Sequence, residues 1–166
     1  MKKYLLNKIH FSLTVFLLAL LPAFSAAAAT AMPSFSLESA ADGKNISSEQ
    51  FKGQVVLVTF FATWCPPCLQ EIPSLINLQD EYGKSGFSVV AISVDQDGTK
   101  PVKKVIEKTG INYPVLMADT QITRDFGGIV GIPTSFLINR DGKIVKSYPG
   151  YVAHTVFVED IKQIIQ

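Results

Sequence analysis

Hydrophobic positions change their period along this chain, from continuous apolar runs to runs with helical spacing and back. The runs at residues 55–61 and 88–94, and a shorter one at 114–118, are rich in β-branched residues and predict buried strands. Apolar residues with helical spacing follow each run and predict helices that begin at about Pro66, Pro101 and Gln121. Strands that alternate with helices in this way predict βαβ crossovers, and hence an α/β fold with a largely parallel core sheet.

The two ends of the chain add antiparallel elements to this core. Residues 35–37 alternate like a short strand, and Asp42 with Gly43 is a turn signal, so we expect an N-terminal hairpin. Residues 135–139 and 144–148 predict a second hairpin, because an Asp-Gly turn separates them. The tail at residues 153–165 has its apolar positions on one face, which predicts a helix that covers the sheet.

The two cysteines, Cys65 and Cys68, lie where the first buried strand gives way to a helix. Pro66 suits the first helical position, where a backbone N–H has no partner, and this puts Cys65 at the N-cap. Partial positive charge and free N–H groups at a helix N-terminus favour the thiolate, which is the nucleophilic form of cysteine. The spacing therefore predicts a redox-active pair in which Cys65 attacks and Cys68 resolves.

Other uses of these side chains stay open from the residues alone. A structural disulfide is one, although closing so short a loop removes little entropy from the unfolded chain. Half of a zinc site is another, although zinc takes four ligands and only His10 and His154 could join the cysteines. We expect no metal, and we expect His154 to be a surface residue. Asp95 and Asp97 lack the remaining ligands of a calcium loop and predict a solvated loop.

The segment FFATWCPPC at residues 60–68, followed by Glu71 and Pro73, resembles the secreted TlpA/ResA branch of the thioredoxin superfamily. The resemblance implies a thioredoxin-like fold, in which a central mixed sheet is flanked by helices and preceded by an N-terminal hairpin. It also implies that residues 99–118 form the helix–strand unit inserted in this branch. The implied activity is protein thiol–disulfide exchange, with the Cys65–Cys68 disulfide as the redox group and no other cofactor.

The resemblance further implies roles for residues outside the Cys pair. A proline at the position of Pro133 is cis in thioredoxin-like proteins and faces the cysteines, where it and the backbone of Ile132 pair with an extended substrate segment. We place Trp64 at the same substrate-binding surface. Glu71, one helical turn after the second cysteine, is expected to tune the proton affinity of the pair and to act as its base. The alternative for Glu71 is an ordinary glutamate on the helix surface.

Two departures from other members of the superfamily bear on the direction of the chemistry. Thioredoxin has a buried Asp six residues before its first Cys, and this chain has Thr59 there, so Glu71 or water must accept the proton. Strong oxidants commonly carry a His between the cysteines, whereas Pro66 and Pro67 supply neither a charge nor an N–H donor. We therefore expect a reductant or a moderate exchanger, with a disulfide oxidant or isomerase as the alternative.

The first residues indicate export. Three lysines precede an apolar run at residues 11–21, and small residues at 26–31 offer cleavage sites after Ala28, Ala29 or Ala31. We expect residues 1–31 to be a cleaved secretory signal peptide rather than a membrane anchor, because spanning a bilayer takes about 20 apolar residues. Residues 32–166 then form one thioredoxin-like domain in the periplasm or another extracytoplasmic space. A reductant in that space needs electrons from a membrane donor.

Two further functions of this fold fit the residues less well. Copper chaperones of the related secreted type use a Cys-x-x-x-Cys spacing with a distant His, and peroxiredoxins have Thr where this chain has Ala62. The balance of 15 basic and 14 acidic side chains, with no basic stripe, gives no reason to expect nucleic acid. We expect a monomer that acts on protein disulfides or thiols, for example those of apocytochrome c.

Overall fold

The computed structural model describes residues 30–165, and within them the chain forms seven strands and four α-helices. The strands are β1 (Ser36–Glu38), β2 (Asn45–Ser47), β3 (Val55–Phe61), β4 (Phe87–Ser93), β5 (Val115–Met117), β6 (Thr134–Ile138) and β7 (Ile144–Pro149). The helices are α1 (Pro66–Tyr82), α2 (Thr99–Thr109), α3 (Thr120–Asp125) and α4 (His154–Ile164). In this part of the chain, none of the helices has the length and apolar character needed to cross a membrane.

The main sheet is mixed and has β3 at its centre, in the order β5-β4-β3-β6-β7. The β3–β4 and β4–β5 pairs are parallel, whereas the β3–β6 and β6–β7 pairs are antiparallel. Phe61 lies opposite Ser93 at the ends of β3 and β4, and Thr134 at the start of β6 lies opposite Phe60. The segment after β3, the loop after β4 and the loop before β6 therefore meet at one end of the sheet.

The central strand is buried on both faces because side chains alternate along it and each face is covered. Leu57 and Phe61 face a core formed with helices α1, α2 and α4. Val58 and Phe60 face a second core formed with the β1–β2 hairpin and α3. These two cores explain why the run at residues 55–61 contains no alternation of polar and apolar residues.

Most predicted bounds are confirmed to within one residue, and α2 shows the largest shift among the helices. It begins at Thr99 rather than at Pro101, so the proline occupies the first turn instead of the first position. Any N–H in the first turn of a helix lacks an intrahelical partner, so proline is tolerated there as well. Helix α3 begins at Thr120, and its N-cap residue is Asp119, whose Oδ1 accepts the N–H of Ile122 at 2.7 Å.

The N-terminal segment binds both edges of the main sheet. The predicted hairpin is present as β1 and β2, and beyond it the N–H of Ala40 donates to the carbonyl of Val115 at 2.8 Å. At the opposite edge, the N–H of Ile144 donates to the carbonyl of Thr30 at 2.8 Å. The predicted signal peptide lies outside the described residues except for its last two, so the domain boundary after residue 31 stays a prediction.

Candidate active site

The Cys pair lies at the start of α1, and the backbone around it has the predicted geometry. Cys65 is the N-cap residue in an extended conformation, and Pro66 is the first residue of the helix. Cys65 and Cys68 form a disulfide with 5.3 Å between their Cα atoms. Both are almost fully buried, at 5% and 3% exposure, whereas the neighbouring Trp64 is 66% exposed. The buried disulfide therefore has one large, exposed aromatic side chain as its neighbour in sequence.

One backbone N–H points at the first sulfur. The prolines at positions 66 and 67 supply none, but the N–H of Cys68 donates to the Sγ of Cys65 at 3.3 Å. This donor is the first free N–H of α1, and it would stabilise a negative charge on that sulfur after reduction. The Pro-Pro pair therefore leaves the Cys65 sulfur with one backbone donor instead of none.

The loop before β6 approaches the same sulfur. The peptide bond between Ile132 and Pro133 is cis, as the resemblance implies, and Pro133 is buried. The carbonyl oxygen of Ile132 lies 3.8 Å from the Sγ of Cys65. Pairing of β6 with β3 brings this loop to the end of the sheet that carries the cysteines. The structure thus brings Ile132, and with it Pro133, next to Cys65, and Trp64 is the exposed residue that precedes this cysteine.

Glu71 is a buried residue, and the alternative of a surface glutamate is wrong. Its exposure is 1%, and its Oε1 accepts the N–H of Val152 at 2.9 Å. It lines a cavity of roughly 10 Å³ together with Cys68, Thr59 and Tyr113. Burial raises the pKa of Glu71 from its usual 4.5 to about 7, and the hydrogen bond from Val152 opposes only part of that rise. A carboxyl that titrates near neutral pH therefore shares a cavity with the second cysteine.

Two polar side chains other than those of Glu71 and Cys68 line this cavity, Thr59 and Tyr113. The hydroxyl of Thr59 accepts a hydrogen bond from the Ser135 hydroxyl at 2.9 Å, in a buried setting. Burial, and then the charge of Glu71, raise the pKa of Tyr113 further above its usual value of 10. Glu71 is therefore the one carboxyl among the described residues that line this cavity.

Two residues outside the predicted site differ from their sequence predictions. Asp95 is half-buried rather than solvated, and its carboxylate accepts hydrogen bonds from Thr63 and from the hydroxyl of Ser93. His154 is half-buried too, with its Nδ1 at 2.9 Å from the Oγ of Ser74. Nothing in the local pattern signals either contact, because each joins segments far apart in the sequence. Among residues 30–165, no group of three His, Cys, Asp or Glu side chains could hold a metal ion.

Known proteins share both the sequence and the fold of this chain. The Redoxin family model matches residues 27–165. The thiol-disulfide oxidoreductase ResA of Bacillus thuringiensis is 32% identical over 124 residues, which cover 74% of this chain and 70% of that protein. ResA of Bacillus subtilis is 31% identical over 134 residues, which cover 81% of this chain and 73% of that protein.

A crystal structure from Chlorobium tepidum has the same architecture. It is that of a thiol:disulfide interchange protein of the thioredoxin family, 39% identical to this chain, with a TM-score of 0.79. The match covers 86% of this chain and 100% of that one. The fold is therefore thioredoxin-like. Because the family model spans the whole described domain and the ResA relatives are 31% to 32% identical over more than two thirds of this chain, this chain belongs to the Redoxin family and is a thiol-disulfide oxidoreductase of the ResA type.

Proposed function

We propose that this protein is an extracytoplasmic reductant of protein disulfides in which Cys65 attacks, Cys68 resolves and Glu71 accepts the proton of Cys68. One observation carries the assignment of the base. Glu71 is fully buried, lines the same small cavity as Cys68 and has a pKa of about 7. A base works best when its pKa lies near the working pH, and Glu71 meets that condition because of where it is buried.

In the first step, the Cys65 thiolate attacks one sulfur of a client disulfide. A mixed disulfide forms between Cys65 and the client, and the other client sulfur leaves as a thiolate. Two features support Cys65 as the attacking residue. It lies at the N-cap of α1, where the N–H of Cys68 donates to its sulfur, and Trp64 beside it is open to solvent.

In the second step, Cys68 gives its proton to Glu71 and attacks the sulfur of Cys65. The client leaves as a second thiol after protonation, and the Cys65–Cys68 disulfide is formed. Two electrons have then passed from the protein to the client, and the protein is in the oxidised form described above. The cavity of roughly 10 Å³ between Glu71 and Cys68 has room for about one water molecule, through which the proton can pass.

Exposed apolar side chains in the segments that carry Cys65, Ile132 and Val152 support a protein client. Trp64 is adjacent to Cys65, and the fully exposed Val130 lies two residues before Ile132. Tyr151, 54% exposed, adjoins the residue whose N–H binds Glu71. An extended client segment that crosses Cys65 would pair with the backbone at Ile132 and cover these three side chains. Cysteines of apocytochrome c are one such client, by analogy with the TlpA/ResA branch.

Export and a membrane donor complete this proposal. The predicted signal peptide would place the domain outside the cytosol, where thiols are not kept reduced by the glutathione and thioredoxin systems. Each turnover leaves the pair oxidised, so a donor in the membrane must return two electrons. The monomeric state remains part of this proposal.

The reduction potential of the Cys65–Cys68 pair tests the direction of electron flow. The mature protein is equilibrated with glutathione or dithiothreitol buffers, and the oxidised fraction is measured by thiol alkylation. A value near or below about −230 mV supports a reductant, and a value near about −120 mV overturns it. The second outcome would favour a disulfide oxidant or isomerase. The N–H of Cys68 on the Cys65 sulfur is the observation that favours this alternative, because it stabilises the reduced form.

A further inference from the structure

A carboxylate outside the Cys pair binds the segment that leads into it. Thr63 follows the end of β3, and Asp95 follows the end of the neighbouring β4. The N–H of Thr63 donates to Oδ2 of Asp95 at 2.9 Å, and its hydroxyl donates to Oδ1 at 2.5 Å. Both oxygens of one carboxylate are therefore engaged by one residue.

The carboxylate of Asp95 is itself fixed by a hydrogen bond from Ser93. The buried hydroxyl of Ser93 donates to Oδ2 of Asp95 at 2.7 Å and accepts the N–H of Asp95 at 3.1 Å. Ser93 is the last residue of β4 and lies opposite Phe61, the last residue of β3. The ladder continues one step further, because the N–H of Val94 donates to the carbonyl of Phe61 at 2.9 Å. Asp95 is therefore fixed by the two central strands of the sheet.

The bound segment is the turn that delivers the first cysteine. The N–H of Cys65 donates to the carbonyl of Ala62 at 3.2 Å, so residues 62–65 form a turn with Thr63 and Trp64 at its centre. The orientation of this turn sets the position of the Cys65 sulfur. That sulfur lies 3.3 Å from the N–H nitrogen of Cys68 and 3.8 Å from the carbonyl oxygen of Ile132.

We propose that Asp95 is a positioning residue for thiol–disulfide exchange, because its carboxylate holds the turn at residues 62–65 and keeps Cys65 beside Cys68 when the disulfide is open. In the oxidised protein the S–S bond itself joins the two residues. In the dithiol form only the backbone holds them together, and the turn is the part of that backbone nearest to Cys65. The proposal rests on the exchange chemistry of the pair and is independent of the direction of electron flow and of Glu71.

The expected consequence is a change in the equilibrium between dithiol and disulfide. The reaction of the reduced protein with glutathione disulfide gives the protein disulfide and two molecules of glutathione. Its equilibrium constant rises with the effective concentration of one protein thiol at the other, which a held turn increases. Hydrogen bonds to an ionised carboxylate are stronger than neutral ones, so Asp95 suits this task.

The test compares four variants in glutathione buffers at pH 7. Asp95→Asn leaves one acceptor oxygen for the two donors of Thr63. Thr63→Val removes the hydroxyl donor but keeps the charge of Asp95, and Thr63→Ser keeps the donor. Asp97→Asn is the matched control, because it removes the same charge from an exposed position in the same loop. Far-UV circular dichroism of each variant, oxidised and reduced, shows whether it is folded.

We expect Asp95→Asn to lower the equilibrium constant about tenfold, which corresponds to a reduction potential about 30 mV higher. Thr63→Val should lower it about threefold, and Thr63→Ser and Asp97→Asn should leave it within about twofold of the parent. Constants within twofold for both Asp95→Asn and Thr63→Val overturn the proposal, even if these variants melt at a lower temperature. A change in Asp95→Asn alone also overturns it, because charge and not the turn would then be responsible. If Asp95→Asn does not fold, Thr63→Val decides by the same criterion.

Discussion

Replacing Glu71 by Gln should stabilise the oxidised protein at pH 8 and leave its stability almost unchanged at pH 4.5. Gln is a neutral side chain of the same shape, and its Oε1 can still accept the N–H of Val152, which now lies 2.9 Å from the glutamate oxygen. The substitution therefore removes the ionisation of the buried group and little else. The difference between parent and variant then measures the cost of charging Glu71 in the folded state.

The magnitude and sign follow from the pKa of Glu71. Burial raises it from 4.5 to about 7, so the folded protein binds the proton more tightly than the unfolded chain. Stability from this group is fully present below pH 4.5 and is lost as the pH rises to about 7. Each pKa unit is worth about 1.4 kcal/mol, which makes the total loss about 3 kcal/mol. The variant lacks this loss, so its free energy of unfolding at pH 8 should be larger than that of the parent by the same amount.

Urea unfolding followed by far-UV circular dichroism gives the free energy of unfolding of both proteins at pH 4.5 and pH 8. The control is Glu81→Gln, which removes an exposed carboxylate from the same helix. Its difference from the parent should be the same at both pH values to within about 0.5 kcal/mol. A Glu71→Gln difference that is equally independent of pH would refute the raised pKa and remove the main support for Glu71 as the base.

Three further predictions concern other parts of the molecule. Cys68→Ala should accumulate mixed disulfides between Cys65 and clients, detectable on non-reducing gels, because the resolving thiol is absent. Arg140→Ala should lower the free energy of unfolding by about 2 kcal/mol, since its guanidinium donates to carbonyls of three separate segments. A chain that begins at Met32 should unfold about 1 kcal/mol more easily than one that begins at Thr30, whose carbonyl accepts an N–H of β7. Urea titration measures both losses.

Each of these predictions has its own control. Cys65→Ala should trap no client, and trapping there instead would reverse the proposed roles of the two cysteines. Lys143→Ala changes a cation near Arg140 in the same turn and should cost less than about 0.5 kcal/mol. A shifted reduction potential in the Arg140 variant would contradict a role confined to stability, because Arg140 binds the end of the sheet away from the cysteines. Equal stability of the two truncated chains would show that the edge contact at Thr30 is not made in solution.

The sequence pattern predicted elements best where local and tertiary preferences agree. Strand β3 lies at the predicted residues, because an unbroken apolar run between Gly53 and the Cys motif has no other way to be buried. Strand β4 begins at Phe87, one residue before the predicted start at Ser88. The hydrophobic pattern does not show whether Phe87, which follows the turn at Gly86, belongs to the turn or to the strand. The cis bond before Pro133 was implied by resemblance and not by any local preference.

The sequence does not predict contacts between residues that are far apart in the chain, and the site depends on two of them, Thr63 with Asp95 and Glu71 with Val152. Thr63 and Asp95 meet because β3 and β4 are parallel neighbours whose ends coincide, which the pattern implied only as a general arrangement. The sequence does not single out these two side chains, since a Thr before the Cys motif and an Asp in a loop are common. The register of the strands, and not the composition of either loop, makes this contact.

The helical spacing of the sequence predicts the position of Glu71 on α1 but not its hydrogen-bond partner. Glu71 lies three residues after Cys68 and four before Leu75, on the stripe of α1 whose other members are buried. The helical spacing places Glu71 on the face of Cys68, but from the residues alone an ordinary surface glutamate stays open, and the resemblance implies the functional role. The spacing could not supply the N–H of Val152, 81 residues further on, which accounts for a carboxylate being tolerated there. A surface glutamate would give no pH-dependent gain for the Gln variant, whereas the buried Glu71 predicts a gain of about 3 kcal/mol, so the urea experiment tests the burial of this carboxyl in solution.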